Sequence, residues 1–180
     1  MVKIGIISTI PHTQISKYFT NKNVLEYIKQ KFVEYKDKKN FKNSDITLVS
    51  NGYPWINHIP ITLFLEELNT PNQYAHIEIC VPTNINPKTM NFLNTHEGRA
   101  LNELHKKYKE NTSIDTLGEI CSIFQNKTSN KIHVKRGFKQ ANTMMVRNCD
   151  HVLVFGFDDE PQTELWGKIL CEKIYYKIVF

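Results

Sequence analysis

The sequence predicts one α/β domain, a three-layer Rossmann-like sandwich with a mainly parallel sheet of about five to six strands. Three observations lead there. Short apolar runs rich in β-branched residues recur at Lys3–Thr9, Asp45–Ser50, His76–Pro82, Lys131–Lys135 and His151–Phe155. Longer stretches with helical spacing separate them, so strand and helix alternate. The chain of 180 residues, 41% of them hydrophobic, is long enough for one core and too short to divide comfortably into two.

Taken in order, the first run opens the chain, and Val24, Leu25, Ile28, Phe32 and Tyr35 after it fall on one helical stripe. Ile61, Phe64, Leu65 and Leu68 form a second stripe after the second strand, and Leu101, Leu104, His105 and Tyr108 a third after the third strand. A further helix is expected from about Ser113 to Phe124, with Ser113 or Asp115 as its N-cap. Thr163–Lys173 reads as the last helix and Lys177–Phe180 as a final strand. Strands apolar on both faces and joined through helices imply a parallel sheet covered on both sides. The polar stretch from Asn84 to Glu110 is long for a plain connection, so a helical lid or insertion is placed at about 84–126 within a single domain spanning 1–180.

The formal charge of +5 arises from 23 Lys and Arg against 18 acids. Lysines gather at Lys29–Lys42 and Lys106–Lys109, which are read as solvated helix faces, so nucleic acid is not the favoured partner. Cys80, Cys121, Cys149 and Cys171 form no CxxC pair and sit among apolar neighbours, which argues for reduced buried thiols and a cytoplasmic protein. The N-terminal segment lacks the apolar run of a signal peptide, and no stretch approaches the roughly 18 apolar residues of a membrane span. His12, His96 and His133 show no ligand spacing, so neither a metal nor a cofactor is expected.

In a parallel sheet, ligands collect where strands end and loops turn into helix N-termini, because free N–H groups and the positive dipole end meet there. That directs attention to the residues after each strand. Ser8 and Thr9 end the first, and Pro82 ends the third. After the second come Asn51 and Gly52, a turn whose backbone can approach a phosphate or ribose, then Asn57 as a helix cap and His58 directed to the sheet edge. After the fourth, Lys135, Arg136, Gly137, Phe138, Lys139 and Asn142 combine a glycine turn with three cations and an amide. After the fifth, Gly156 opens a third glycine turn followed by Asp158, Glu160 and Thr163.

Val49-Ser50-Asn51-Gly52, Gly137-Phe138-Lys139-Gln140-Ala141-Asn142 and Asp150-His151-Val152-Leu153-Val154-Phe155-Gly156 together resemble the motifs of the SLOG superfamily. That group includes the lonely-guy phosphoribohydrolases, the Smf/DprA DNA-uptake proteins and sensor domains for NAD-derived or nucleotide signals. Gly98, Asn102 and His105 also look like the middle stretch of small members. The resemblance implies a nucleotide-derived ligand and a homodimer. It departs at Asn51-Gly52, where the family has a double glycine, at Ala141, where it has Arg, and in lacking the PGGxGTxxE signature, with Glu160 and Glu164 outside that pattern. Arg147-Asn148 does not replace the missing pair, because its spacing to Asp150 is wrong.

These departures move the expectation from catalysis to binding of a nucleotide, ADP-ribose-like or cyclic-nucleotide ligand at the strand C-termini. An N-glycosidic hydrolase or deoxyribosyltransferase is the alternative and would need Glu160 or Asp158 as its carboxylate. A single-stranded DNA-binding or interaction protein is a second alternative. No membrane partner is expected.

Overall fold

A computed structural model describes residues 1–9, 17, 20, 22–125, 130–156 and 172–177. Its elements, in chain order, are β1 (Val2–Ser8), α1 (Lys22–Lys38), β2 (Ile46–Ser50), α2 (Ile59–Glu66), β3 (His76–Val81), β4 (Ile85–Asn86), β5 (Asn91–Phe92), α3 (His96–Thr112), α4 (Thr116–Gln125), β6 (Asn130–Val134), α5 (Phe138–Arg147), β7 (His151–Gly156) and β8 (Glu172–Lys177). Short 3-10 turns precede β2 at Asn43–Asp45 and α2 at Trp55–His58.

Six strands form one sheet in the order β6-β3-β2-β1-β7-β8, and every pairing is parallel. The chain therefore builds outward from β1 to β6, then returns to the other side of β1 with β7. Alternation along each strand sorts its side chains into two cores. Ile4, Ile6, Leu48, Ile77, Ile79, Leu153 and Phe155 pack with Val24, Ile28 and Phe32 of α1, Ile61 and Phe64 of α2, Leu101 and Tyr108 of α3 and Ile120 and Ile123 of α4. Their neighbours Ile7, Val49, Cys80, Val152 and Val154 pack on the opposite face with Met145 and Val146 of α5 and with Cys149. Helices thus cover both faces, and the fold is the expected three-layer α/β sandwich.

On the second face α5 lies very close to the sheet. A Cβ on Gly5 would stand 2.6 Å from Met145 Cε and 2.7 Å from Cys149 Sγ, so the central strand has no room for a side chain where the helix crosses it.

The connection from β3 to β6 is the part that periodicity describes least well. It contains the β4–β5 hairpin, which is too short to carry a strand pattern, then α3 and α4, and its Ile85, Phe92, Leu101, Tyr108, Ile120 and Ile123 enter the first core. Thr95 caps α3 by accepting from Gly98 N at 3.0 Å. Asp115 accepts from Gly118 N at 2.9 Å at the start of α4, whereas Ser113, with φ of 63°, ends α3 in the left-handed conformation. Of the two expected caps, Asp115 holds the position.

Two further expectations concern the C-terminal part. The last described strand is Glu172–Lys177, and of the expected strand Lys177–Phe180 all but Lys177 lies outside the described residues. As an outermost strand of the described sheet it needs only one apolar face, which Ile174 and Tyr176 supply, and so it alternates where a buried strand would run apolar throughout. The expected helix over Thr163–Lys173 accordingly loses its last two residues to this strand, and its remainder lies outside the described residues, as does Cys171. Cys80, Cys121 and Cys149 are buried thiols. Among the described residues no helix is long and apolar enough to cross a membrane.

Candidate functional site

The reversal of strand order falls between β1 and β7, and their C-terminal ends are tied together. Ser8 is level with Phe155, and Thr9 N donates to Phe155 O at 2.9 Å. Gly156, the last residue of β7, is buried beside them. Parallel sheets bind ligands in the crevice outside such a reversal, because the loops diverge there and leave backbone groups at the strand ends.

Asn57 joins this point to β2. Its Oδ1 accepts from Ser8 N at 2.6 Å, and its main-chain oxygen accepts from Ser50 Oγ at 2.7 Å. It does not cap a helix: the chain passes through the 3-10 turn Trp55–His58, and α2 starts at Ile59 without a side-chain cap. Trp55 takes a φ of 70° to make that turn, an uncommon conformation for a bulky residue.

The first two glycine turns also come together. Asn51 Nδ2 donates to Asn142 Oδ1 at 3.1 Å, and the rings of Tyr53 and Phe138 lie 5.8 Å apart. Burial pushes the Tyr53 phenol up, against the hydrogen bond it shares with Asn142. Asn51, Asn142 and Tyr53 thus form one polar cluster at the β2 end, with Asn51 buried and Asn142 half-buried on α5.

Gly52 differs from its expected role. Its φ is +73°, and a Cβ there would stand 2.8 Å from Val81 Cγ1, so the turn does need glycine. Its amide, however, donates to Ser50 Oγ at 3.1 Å, Tyr53 N donates to Asn51 Oδ1 at 3.3 Å, and the whole stretch 51–60 is buried. The two N–H groups that would cradle a phosphate are already used within the turn.

His58 is also placed otherwise than expected. It is buried and donates from Nε2 to Glu119 Oε2 of α4 at 2.7 Å, away from the strand ends. The cause is the 3-10 turn, which sets His58 on the side of α2 that meets α4. Pro82 is buried beyond β3. Gly137, with φ of 90°, precedes α5, and Lys139 is exposed in its first turn. Asp158, Glu160 and Thr163 lie outside the described residues.

Three residues of α3 carry contacts that motif reading leaves undefined. Gly98, Asn102 and His105 follow i, i+4, i+7 spacing and so share a face. A Cβ on Gly98 would stand 1.9 Å from Leu93 O. Asn102 accepts from Phe92 N at 2.9 Å and donates to Phe92 O at 3.0 Å, pairing with β5 as a neighbouring strand would. His105, 2% exposed, donates from Nε2 to Gly52 O at 3.0 Å and accepts at Nδ1 from Thr116 Oγ1 at 2.7 Å. Burial first, and the charge of His58 second, depress its pKa to about 3, against the pull of the Gly52 carbonyl. A neutral His105 therefore fixes the β2 turn from beneath. Glu119, Thr116 and Asn57 have no local motif that would reveal these roles, because each partner is distant in sequence.

The fold is that of a doubly wound parallel α/β protein whose strand order reverses between β1 and β7. No family model matches the chain, and no solved structure matches it. It is similar to a protein of Acanthamoeba polyphaga mimivirus described as uncharacterized protein R261, with 29% identity over 173 residues, 93% of this chain and 91% of that protein.

Proposed function

We propose that the protein binds a nucleotide or nucleotide-derived ligand, of ADP-ribose or cyclic-nucleotide type, in the crevice where β1 and β7 meet, and that it is a divergent member of the SLOG superfamily. The observation that carries this reading is the strand order, which reverses at β1 and sets Ser8, Thr9 and Gly156 side by side. The Asn51–Asn142 pair adds amide groups suited to base edges and ribose hydroxyls. The first turn of α5, with Lys139 and the neighbouring Lys135 and Arg136, offers positive charge for phosphate oxygens, a task for which the Gly52 amides are already engaged. Binding is preferred to catalysis because the departures at Asn51-Gly52 and Ala141 remove the groups that the related enzymes use.

Calorimetry and thermal shift with AMP, ADP-ribose, NAD and cyclic nucleotides test the proposal. A bound ligand at a hundredfold excess over its Kd stabilises the fold by about 2.7 kcal/mol. Asn142→Ala should weaken that stabilisation. Absence of heat and of any melting shift with all of these compounds at millimolar concentration would overturn it.

A further inference from the structure

The segment 130–149, which comprises β6 and α5, contains Lys131, Lys135, Arg136, Lys139 and Arg147 and no Asp or Glu. The remaining 18 cations of the chain equal its 18 acids, so the net charge of +5 resides in this one strand–helix unit. All five side chains are exposed.

The unit also has a cleft. A cavity of about 420 Å³ along the flank of α5 is lined by Lys135, Lys139 and Arg147 with Gln140, Thr143 and Asn148, and among the described residues no carboxylate borders it. Lys139, Thr143 and Arg147 are four residues apart and stack on one helix face, so the two cations are separated by about 12 Å along the axis. Lys131 lies on the sheet face that α5 covers, because it is level with Glu78, two residues before Cys80 of the α5-side core. The acid on that face does not offset the cations: Glu78 is buried, with Lys3 Nζ at 2.8 Å and His133 Nε2 at 3.0 Å.

The chemistry of the lining narrows the ligand. Spaced cations with amide and hydroxyl donors between them suit oxyanions that recur along a chain, since each phosphate presents several acceptor oxygens for one charge. Among the described residues no aromatic ring lines the cleft, and the Phe138 ring lies tilted against that of Tyr53, so the lining offers no platform for bases. We propose that the β6–α5 cleft binds a linear chain of phosphates, the backbone of a single-stranded nucleic acid or an inorganic polyphosphate, by its charge spacing and without reading sequence. The cleft shares Lys135 and Lys139 with the first turn of α5 used in the proposed nucleotide site, and extends beyond it along the helix to Arg147.

Fluorescence anisotropy of the full chain with labelled oligo(dT), over a salt series, tests it. Four phosphate contacts predict roughly a 50-fold loss of affinity between about 50 and about 200 mM salt, and the double variant Lys131→Gln/Arg147→Gln should reduce that loss to roughly sevenfold. Circular dichroism should show the variant folded, and Lys106→Gln, an exposed cation outside this unit, should leave oligo(dT) binding unchanged. Competition by inorganic polyphosphate assigns recognition to the phosphates alone, whereas retained oligo(dT) binding in its presence assigns it to the nucleic-acid strand. An unaltered salt dependence in the folded double variant, or equal competition by poly-glutamate, would overturn the proposal.

Discussion

His105 allows a quantitative test of how the β3-to-β6 connection supports the site. The folded protein holds this imidazole neutral down to a pKa of about 3, whereas the unfolded chain protonates it near the ordinary histidine value of 6.5. Between these limits the unfolded state binds one more proton, so stability falls as pH falls, by about 1.4 kcal/mol per pH unit. The contribution is complete above pH 6.5 and shrinks by about 2 kcal/mol on reaching pH 5. His105→Gln removes the titration while retaining a donor for Gly52 O. Its cost at pH 7.5 is about 2 kcal/mol, from a poorer bridge between Gly52 and Thr116 in a buried site. Urea denaturation of both proteins from pH 7.5 to 4.5 should therefore show the wild type more stable at neutral pH and the gap closing near pH 5. Parallel stability curves for the two proteins over that range would refute the assignment of a buried neutral histidine.

Two other perturbations follow from the same geometry. Gly98→Ala drives a methyl group against the Leu93 carbonyl, and because that contact is with backbone the hairpin or helix must shift, lowering stability by about 3 kcal/mol in denaturant titration. Glu78→Gln removes a carboxylate for which burial is outweighed by Lys3 and His133, leaving its pKa below 4.5; its stabilisation is present above that value and lost as pH falls through the folded one. The variant should be less stable by about 2 kcal/mol at pH 7, and acid unfolding monitored by fluorescence should show a shallower decline below pH 4.5 than in the wild type.

Residues buried on both faces are the ones whose placement could be read directly. Ile4, Ile6, Val49, Ile79, Val152 and Val154 leave no polar alternation, and this is what a central parallel strand requires. β8 is harder to read for the opposite reason, since Ile174 and Tyr176 alternate with lysines and tyrosine. β4 and β5 have two residues each and owe their position to Asn102 more than to their own composition. At the site, Gly52, Gly137 and Gly156 do mark the ends of three strands, but whether their amides are available depends on side chains far away in sequence. Ser8 meets Asn57 across 49 positions and Gly52 meets His105 across 53, distances over which no local pattern reports.

The strand order has a consequence for how the molecule is made. β1 gains its β2 neighbour after about a quarter of the chain, but its β7 neighbour only once residue 151 and those after it have emerged. During synthesis from the N-terminus, β1, β2 and β3 can assemble early while the β7 edge of β1 stays open. The junction of β1 with β7 therefore forms late, with β7 supplied by the last sixth of the chain. A polypeptide released before that point would carry the early strands and their glycine turn, yet it would expose an unpaired central strand edge where the finished protein joins β1 to β7.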